Sequence, residues 1–382
     1  MLIAHICLAN FFIDDRSYQE NELVKQHIKD GHEVIVIAST HNHDENGKTV
    51  YVEPDDYVGA EGARIIRLPY RFAFLSHFIA SKLRIHKGVY DLLVSLNPDA
   101  ILFHGTTGWE MQSVARYKKD FPKVITYMDA HEYWGNSAKG FISREILHKR
   151  YYGPILRNSH KAFSKILCIS TEVIDFVNEV YGIPKDKLEF YPLGGRPVSP
   201  GEYKKLRETS RQTLKIEEQQ TLFVQSGKIT RKKKLIESLA AFSKVTNPDF
   251  RFLIIGVLDD AIEAEVMALI NADKRVQFLG WKSADEMNSI LAAADVYLQP
   301  GTQSVTMQNS LCAHCAVILD DVKAHSKYMN ENGWLINKSQ SLENILKEVS
   351  AKRDELERMQ ENSFAIAKSI LDYKKLAKRV LN

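Results

Sequence analysis

A run of four cations follows a short apolar segment in the second half of the chain. Residues 221–224 are mainly apolar, Ser226-Gly227 comes next, and residues 231–234 read RKKK. The apolar residues of 235–242 recur at helical spacing, so the order is strand, tight turn and helix. In an open α/β sheet, ligands bind at the carboxyl ends of strands, where free N–H groups of helix N-termini attract anions. The spacing therefore predicts a phosphate-binding site, with a solvated charge run as the alternative.

Two other predicted strand ends carry groups that could exchange a proton with a substrate. Asp129 and His131 follow the apolar run 124–127, and His104 follows the run 101–103. Because the carboxyl ends of parallel strands face the ligand site, we expect these side chains to be within reach of a bound substrate. A polar loop that only caps the next helix is the alternative.

The elements that must position these groups alternate between strand and helix in both halves of the chain. This alternation is typical of a parallel, doubly wound sheet, and 382 residues suggest two domains of ordinary size. A polar, charged stretch before residue 221 predicts a linker. The predicted organisation is a first domain (1–195), a linker (196–220), a second domain (221–360) and a C-terminal helix (361–382). With two similar α/β halves, we expect the active site in a cleft between them.

Composition excludes several classes of protein. Hydrophobic residues at 45% and charged residues at 26% indicate a globular chain, and a net charge of +3 gives no general reason to bind nucleic acid. The apolar start lacks the basic region and cleavage site of a signal peptide, and no apolar run is long enough to span a bilayer. Cys312 and Cys315 lack the second pair of ligands that a zinc site needs, so we interpret them as small core residues in a reducing cytoplasm.

Several motifs, taken in order, resemble the retaining glycosyltransferases of family 4, which have the GT-B fold. The segment GKITRKKK from Gly227, with AF at 241–242, is similar to the family's G-R-L-x-x-x-K-G…A-F. DGHEV at 30–34 is similar to its G-H-E-V, YGIPKDKL at 181–188 to its Y-G-V-P-x-D-K-I, and ADVYLQP at 294–300 to its A-D-V-x-x-x-P. The resemblance covers nearly the whole chain. It implies two Rossmann-like domains that face each other across a cleft, with a C-terminal helix that returns to the first domain.

The resemblance also implies roles for particular residues. Lys228 and Lys233 fall on the family's arginine and lysine, and would stabilise the diphosphate that leaves a nucleotide-sugar donor; such electrostatic stabilisation is usually the largest catalytic term. His131, with Asp129 in reserve, would lie near the reacting sugar carbon. No metal and no other cofactor is expected. The predicted donor-binding residues are Gly227, Lys228, Lys233, Gly256, Phe278, Ser304, Gln308 and Asn309.

The sequence departs from the family pattern in the donor region. The family carries two glutamates, spaced E-x7-E, that hold the sugar hydroxyls and the ribose. Here Asn309 takes the second position, and the first falls near Ser304 if the loop is shortened. An amide can still hydrogen-bond hydroxyls, though without charge assistance. The departure puts the identity of the donor in question.

Aromatic and basic residues alternate within residues 71–87, and residues 139–165 hold seven Lys or Arg against one acidic residue. Basic amphipathic helices bind anionic membrane surfaces, and many members of the family use lipid-linked acceptors. A core helix with a solvated basic face is the alternative. The residues predicted to contact acceptor or membrane are Phe72, Phe74, Phe78, Lys82, Arg84 and Lys87.

These features together predict a cytoplasmic, metal-independent, retaining glycosyltransferase, with a peripheral position at the inner face of the cell membrane as part of the hypothesis. It would transfer a sugar from a nucleotide-sugar donor to a glycan, lipid-linked in our interpretation, in cell-surface polysaccharide or glycoconjugate synthesis. A nucleotide-sugar epimerase of the same fold is one alternative, and a degenerate, non-catalytic partner subunit is another. Nucleic-acid binding lacks any matching module.

Overall fold

The computed structural model describes residues 1–44, 48–72, 74–301 and 304–382. The chain forms two compact units. Unit 1 comprises residues 1–192 together with 373–382, and unit 2 comprises residues 193–372. Each unit has an α/β architecture built on a sheet that is parallel throughout in unit 2 and almost throughout in unit 1.

Strands and helices alternate in most of unit 1 before its C-terminal helix, but between residues 33 and 68 several short strands follow one another without a helix. Its strands are β1 (Leu2–Cys7), β2 (Glu33–Ser39), β3 (His41–His43), β4 (Thr49–Tyr51), β5 (Asp56–Val58), β6 (Arg64–Leu68), β7 (Ala100–Phe103), β8 (Ile125–Ala130), β9 (Ile166–Cys168) and β10 (Leu188–Phe190). Its helices are α1 (Gln19–Lys29), α2 (His77–Leu83), α3 (Val89–Leu96), α4 (Met111–Asp120), α5 (Gly153–Ser159) and α6 (Thr171–Tyr181), with a π-helical segment at Ile142–Tyr152.

The sheet of unit 1 runs β10-β9-β8-β7-β1-β2-β6-β5. Only β5, at the edge, is antiparallel to its neighbour. The central strands read as continuous apolar runs because helices cover both faces of a parallel sheet. Ile6, Ile37 and Phe103, one from each of three adjacent strands, are completely buried in the core. This arrangement fixes the carboxyl ends of β1, β7 and β8 side by side.

Unit 2 has a six-stranded parallel sheet with the order β13-β12-β11-β14-β15-β16. Its strands are β11 (Thr221–Ile229), β12 (Phe250–Leu258), β13 (Val276–Phe278), β14 (Val296–Gln299), β15 (Ala316–Asp320) and β16 (Gly333–Ile336). Its helices are α7 (Pro200–Leu214), α8 (Leu235–Ser243), α9 (Asp260–Ala272), α10 (Ala284–Ala293), α11 (Val305–Cys312), α12 (Leu342–Ala351) and α13 (Asp354–Ile366), with a π-helical segment at Ala367–Leu371.

The stretch 196–220, predicted as a linker, is instead part of unit 2 and contains α7. Arg207 and Arg211 of this helix both form ion pairs with Asp295 at the start of β14. Arg211 also donates to the carbonyl groups of Glu217 and Gln220. The composition suggested a linker because α7 is polar along most of its length, but two of its arginines form ion pairs with a buried carboxylate, and this anchors the helix.

The last helix, α14 (Tyr373–Arg379), belongs to unit 1, as the resemblance implies, although residues 361–372 remain in unit 2. It packs on α1, and the hydroxyl of Tyr191 donates to the carbonyl oxygen of Leu376 at 2.9 Å. Arg379 forms an ion pair with Glu189. No helix among the described residues is both long and apolar enough to cross a membrane.

Candidate functional site

The sheet order of unit 2 changes direction at β11. From β11 the chain continues to β12 and β13 on one side, and then returns to β14 on the other side. Loops diverge at such a switch point, and ligands of doubly wound sheets bind in the crevice that this leaves. The predicted phosphate-binding segment lies here, at the carboxyl end of β11.

The strand β11 is longer than the sequence predicts, because it runs through Gly227 to Ile229. Gly227 pairs in parallel register with Gly256 of β12, and both have positive φ angles, of 124° and 131°. A Cβ atom on Gly256 would lie 1.9 Å from the carbonyl oxygen of Gly227. Gly256 is therefore needed for close strand packing, and the turn falls after the strand, at residues 230–234.

Lys233 is the one member of the RKKK run that is buried, with 8% of its surface exposed. It ends a single 3₁₀ turn, Arg231–Lys233, and the side-chain amide of Gln225 donates to its carbonyl oxygen at 2.8 Å. Lys234 follows with φ of 52° and begins α8. Burial lowers the pKa of Lys233 from its ordinary value of 10.5 to about 8.

The other cations of the segment lie at the surface. Arg231 forms an ion pair with Glu265, and Lys234 lies 2.5 Å from Asp320. Lys232 and Lys228 are exposed, the latter near the end of β11. Lys233 is thus the buried cation of the run, and its charged neighbours are not. Lys228 lies near the same end of β11, but its side chain is exposed to solvent.

A second loop closes on this turn from β14. Gly301 approaches so closely that a Cβ atom there would lie 2.2 Å from the carbonyl oxygen of Lys232. Ser304, the N-cap of α11, donates from its hydroxyl to Oε1 of Gln299 at 2.9 Å, and the hydroxyls of Ser226 and Tyr297 are 2.9 Å apart. Neutral polar groups are therefore present at the carboxyl ends of β11 and β14. The sequence prediction included Ser304 but missed Gln299 and Gly301, although the Gln-Pro-Gly at the end of β14 was a usable signal.

The remaining predicted donor residues differ in exposure. Gln308 is fully buried, and its Oε1 accepts the backbone N–H of Gly194 at 3.2 Å. Asn309 is half-buried beside Gly195, and Phe278 packs against the core of unit 2. Cys312 and Cys315 are buried free thiols whose pKa burial raises, in line with their interpretation as core residues.

Unit 1 has its own switch point, between β1 and β7, where Asp129, His104 and His131 meet. His104 follows β7 and Asp129 lies near the end of β8, and His104 Nδ1 is 2.5 Å from Oδ2 of Asp129. The backbone N–H of Gly105 donates to Oδ1 of the same carboxylate at 2.7 Å. His131 Nε2 lies 3.4 Å from Asp129 Oδ1, within ion-pair range but without a hydrogen bond.

A buried chain of histidines extends from this carboxylate to the C-terminal helix. His104 Nε2 is 2.9 Å from His5 Nδ1, and His5 Nε2 is 2.9 Å from His27 Nδ1. His27 Nε2 is 3.0 Å from the carbonyl oxygen of Ala377. The sequence analysis missed His5 and His27; the signal was histidine inside the apolar run of β1 and on the inner face of α1.

The chain of histidines requires an additional proton. A carbonyl oxygen and a carboxylate accept only, so the four hydrogen bonds between Ala377 and Asp129 need four protons, whereas three neutral imidazoles carry three. Burial opposes ionisation of Asp129, but the cationic forms of His104 and His131 outweigh it and hold its pKa well below the ordinary value. Burial lowers the pKa of His5, and that of His27 to about 4. The chain therefore holds one proton more than three neutral imidazoles carry, next to the ionised Asp129.

His131 faces a cavity of about 260 Å³ in unit 1. Burial opposes its ionisation, but the carboxylate of Asp129 prevails and raises the pKa of His131 to about 9. Glu132, also in the wall, is satisfied by Thr106 and Thr107, whose hydroxyls donate to it at 2.7 and 2.9 Å. Further lining residues include Asn10, Lys82, Arg84, Asn136, Ser137 and Ser143. An arrangement of this kind can bind a polar molecule and present an imidazolium to it.

The basic and aromatic segment 71–87 is not one amphipathic helix, contrary to its sequence pattern. The helix α2 covers only His77–Leu83 and ends at Arg84, whose φ is 53°. Phe74 and Phe78 are 84% and 73% exposed, and Lys82 and Lys87 are also exposed, but Phe72 is half-buried. Arg84 turns inward, and its Nη1 donates to the carbonyl oxygen of Ala9 at 2.6 Å. The predicted surface group therefore divides into an exposed apolar edge and an inward guanidinium.

Comparison with known proteins gives matches over both halves of the chain. Residues 207–365 match the family model of the glycosyl transferases group 1, and residues 21–194 match that of glycosyltransferase family 4. No curated protein sequence matches the chain significantly.

Solved structures match over nearly the full length of the chain. They include sucrose-phosphate synthase from Thermosynechococcus elongatus, with 14% identity, coverage of 99% of this chain and 97% of that chain, and a TM-score of 0.67. HepE from Anabaena in complex with UDP has 14% identity, coverage of 100% and 98%, and a TM-score of 0.64. WaaG, a glycosyltransferase involved in lipopolysaccharide biosynthesis, has 17% identity, coverage of 99% and 98%, and a TM-score of 0.65.

Two parallel sheets in two Rossmann-like units, each with polar groups gathered at its switch point, define the GT-B fold, and the structural matches confirm it. The family models add the reaction class. The chain is a glycosyltransferase of the GT-B fold.

Proposed function

We propose that this glycosyltransferase moves a sugar from a nucleotide-sugar donor to a glycan acceptor, as a retaining and metal-independent member of family 4. The donor diphosphate binds at the switch point of unit 2. The observation that carries this proposal is the burial of Lys233 beside a strand end with bare glycine backbone. A Cβ atom on Gly227 would lie 4.0 Å from Cε of Lys233. The lysine side chain therefore passes next to the backbone of Gly227, which carries no side chain.

The chemistry of this arrangement suits a diphosphate leaving group. A buried ammonium whose pKa is lowered to about 8 gains charge stabilisation when an anion arrives, and this gain increases as the leaving group develops negative charge. Structures of HepE, which has the same fold, were solved with UDP and with UDP-glucose. These ligands make uridine nucleotides the first donors to test on this chain.

In our proposal the acceptor is lipid-linked and the protein works in the cytoplasm, peripherally at the inner face of the cell membrane. The support is an exposed apolar edge in unit 1. Phe74 precedes α2 and Phe78 belongs to it, and Phe141 and Ile142, at the start of the π-helical segment, are 70% and 68% exposed. Tyr151 of that segment donates to the carbonyl oxygen of Leu83 at 2.8 Å, which holds the two elements together.

The same two parts of the chain carry the cations Lys82, Lys139, Arg144, Lys149 and Arg150, of which Arg144 and Lys149 form ion pairs with Glu145. Charge complementarity therefore favours an anionic lipid surface over a neutral protein partner. WaaG, of the same fold, is a glycosyltransferase involved in lipopolysaccharide biosynthesis, which is in keeping with a role in cell-surface glycan synthesis.

The experiment that tests the donor site compares two single-alanine variants of adjacent lysines. Lys233→Ala should lower transfer from the preferred nucleotide sugar by a hundredfold or more, because a charge-stabilising group at the leaving diphosphate is lost. Lys232→Ala, the matched exposed control, should retain near-wild-type turnover. Nucleotide sugars are first screened by thermal shift, since a bound ligand stabilises the folded state. Equal turnover in both variants would remove Lys233 from the mechanism.

A further inference from the structure

The cavity of unit 1 has an imbalance of charge. Lys82 and Arg84 contribute two permanent cations to its wall, and Glu132 is the one carboxylate among the lining residues. No ion pair of Lys82 or Arg84 occurs within residues 1–44, 48–72, 74–301 and 304–382. Arg84 is half-buried, and charged groups that are partly removed from water are usually paired, so its missing counter-charge points to a ligand.

The guanidinium of Arg84 is fixed by groups that leave its charge uncompensated. Its Nη1 donates to the carbonyl oxygen of Ala9 and to the hydroxyl of Thr107, and its Nε donates to the carbonyl oxygen of Ser81 at 3.2 Å. The residue has a φ of 53°, a left-handed conformation that is unfavourable for a side chain other than glycine or asparagine. Strain of this kind persists where the surroundings determine it, and it occurs most often at ligand sites.

The rest of the wall completes a polar site. Glu132 accepts hydrogen bonds from Thr106 and Thr107 and from the backbone N–H of His131, so its charge is already stabilised within the protein. His131 adds a third positive charge near neutral pH, because Asp129 raises its pKa. Asn136, Ser137 and Ser143 add groups that can bind hydroxyls.

We propose that Arg84, Lys82 and His131 bind an oxyanion group of the acceptor, a phosphate or a carboxylate, in the cavity of unit 1. The inference rests on the proposed transfer to a glycan, and it narrows the acceptor to an acidic one. Planar guanidinium groups suit oxyanions of both kinds, because two parallel N–H groups can face two oxygens. A neutral glycan would leave the cations of this cavity without a counter-charge.

The test is calorimetric titration of the full chain with glucose 6-phosphate, glucuronate and glucose, with UDP present in excess. UDP occupies the donor site, so an anion that still binds does so elsewhere. We expect at least one of the two anionic sugars to bind tenfold or more tightly than glucose, and the tighter of the two identifies the oxyanion. Lys82→Gln and Arg84→Gln should each weaken this binding about tenfold, whereas Lys119→Gln, an exposed cation of α4, should not.

Arg84→Gln also removes hydrogen bonds to backbone carbonyls and can lower stability, so the exposed Lys82 provides the variant that tests the site independently of folding. Equal binding of the three sugars, or full anion affinity in Lys82→Gln, would overturn the inference. Anion binding that disappears when UDP is added would assign the anion to the donor site and would also overturn it. If UDP itself fails to bind while Lys82→Gln still weakens anion binding, the proposed donor site is wrong, but the proposed anion-binding site in unit 1 stands.

Discussion

Replacing Lys233 by methionine should abolish transfer and at the same time stabilise the fold. Methionine is unbranched and apolar and can follow the path of the lysine side chain without its charge. Burial lowers the pKa of Lys233 from 10.5 to about 8. That difference corresponds to about 3 kcal/mol by which folding disfavours the protonated lysine relative to the unfolded chain. Methionine removes this penalty, so the free energy of unfolding should increase by up to about 3 kcal/mol at pH 7.

The sign of the pH dependence follows from the lowered pKa. Below about pH 8 the lysine is protonated in both the folded and the unfolded chain, so the whole penalty applies. Between about 8 and 10.5 the unfolded chain binds more protons than the folded one, and the stability of the wild type rises with pH relative to the variant. Above 10.5 the lysine is neutral in both states and the penalty is gone. The advantage of Lys233→Met should therefore disappear across this window.

The assay is urea unfolding of both proteins at several pH values from 7 to 10.5, followed by the fluorescence of Trp281 and Trp334 in unit 2. Other groups titrate alike in the two proteins, so the difference between their free energies of unfolding reports on residue 233 alone. Lys232→Met, at an exposed position, should change stability little at any pH. A variant that is less stable than the wild type at pH 7, or a difference that does not change with pH, would refute the assignment of a costly buried ammonium.

Three further outcomes are expected. Transfer should persist in excess EDTA, because protein cations stabilise the diphosphate; loss of turnover that magnesium or manganese restores would contradict the metal-independent mechanism. The protein should co-sediment with anionic vesicles at low salt and be released as salt rises, and Phe74→Ser with Phe78→Ser should weaken this without lowering nucleotide affinity; equal sedimentation with neutral vesicles would contradict it. Nitrogen-15 spectra of histidine-labelled protein at pH 8 should show two imidazoliums, one in the histidine chain and one at His131, whose pKa is about 9, and Asp129→Asn should remove both; neutral rings throughout the histidine chain of the wild type would contradict its proton count.

The sequence predicted the sheets well because their strands are short, buried and apolar. The apolar run 101–103 lies within β7 and the run 124–127 overlaps β8, since each is a short apolar run followed by polar residues. The edge strands β3, β4 and β5 were missed. The residues of β4 and β5 alternate between exposed and half-buried, and pairing with a neighbour stabilises these short strands more than their own composition does.

The candidate sites were predicted unevenly. The position of Lys233 followed from the order of strand, turn and helix, but its separation from Arg231 and Lys234 depends on Glu265 and Asp320, which lie far away in the sequence. Arg84 was predicted at the surface because aromatic and basic residues alternate around it. Its inward direction depends on the left-handed backbone at the end of α2, and on carbonyl acceptors that become available only when β1 and β7 are neighbours.

The histidine chain could not be predicted from the sequence at all. Its members lie on β1, on α1 and after β7, and its final acceptor is Ala377, which is 350 residues from His27. Each histidine alone has the pattern of an ordinary buried residue. The extra proton is required because the groups at both ends of the chain are hydrogen-bond acceptors. The acceptor at one end is Ala377, so this requirement depends on where α14 packs.

The missing glutamate pair and the buried Lys233 are connected by electrostatics. The family resembled by this sequence holds its donor sugar with two carboxylates, and a carboxylate next to a lysine raises the pKa of that lysine. Here Gln225, Gln299 and Ser304, which line the turn of Lys233, are neutral, and burial sets a pKa of about 8. Amides and hydroxyls can both donate and accept hydrogen bonds, whereas carboxylates only accept them. The neutral groups therefore bind sugar hydroxyls in more orientations of the hydroxyl than carboxylates do. Selectivity for the donor should accordingly depend more on the nucleotide than on the sugar.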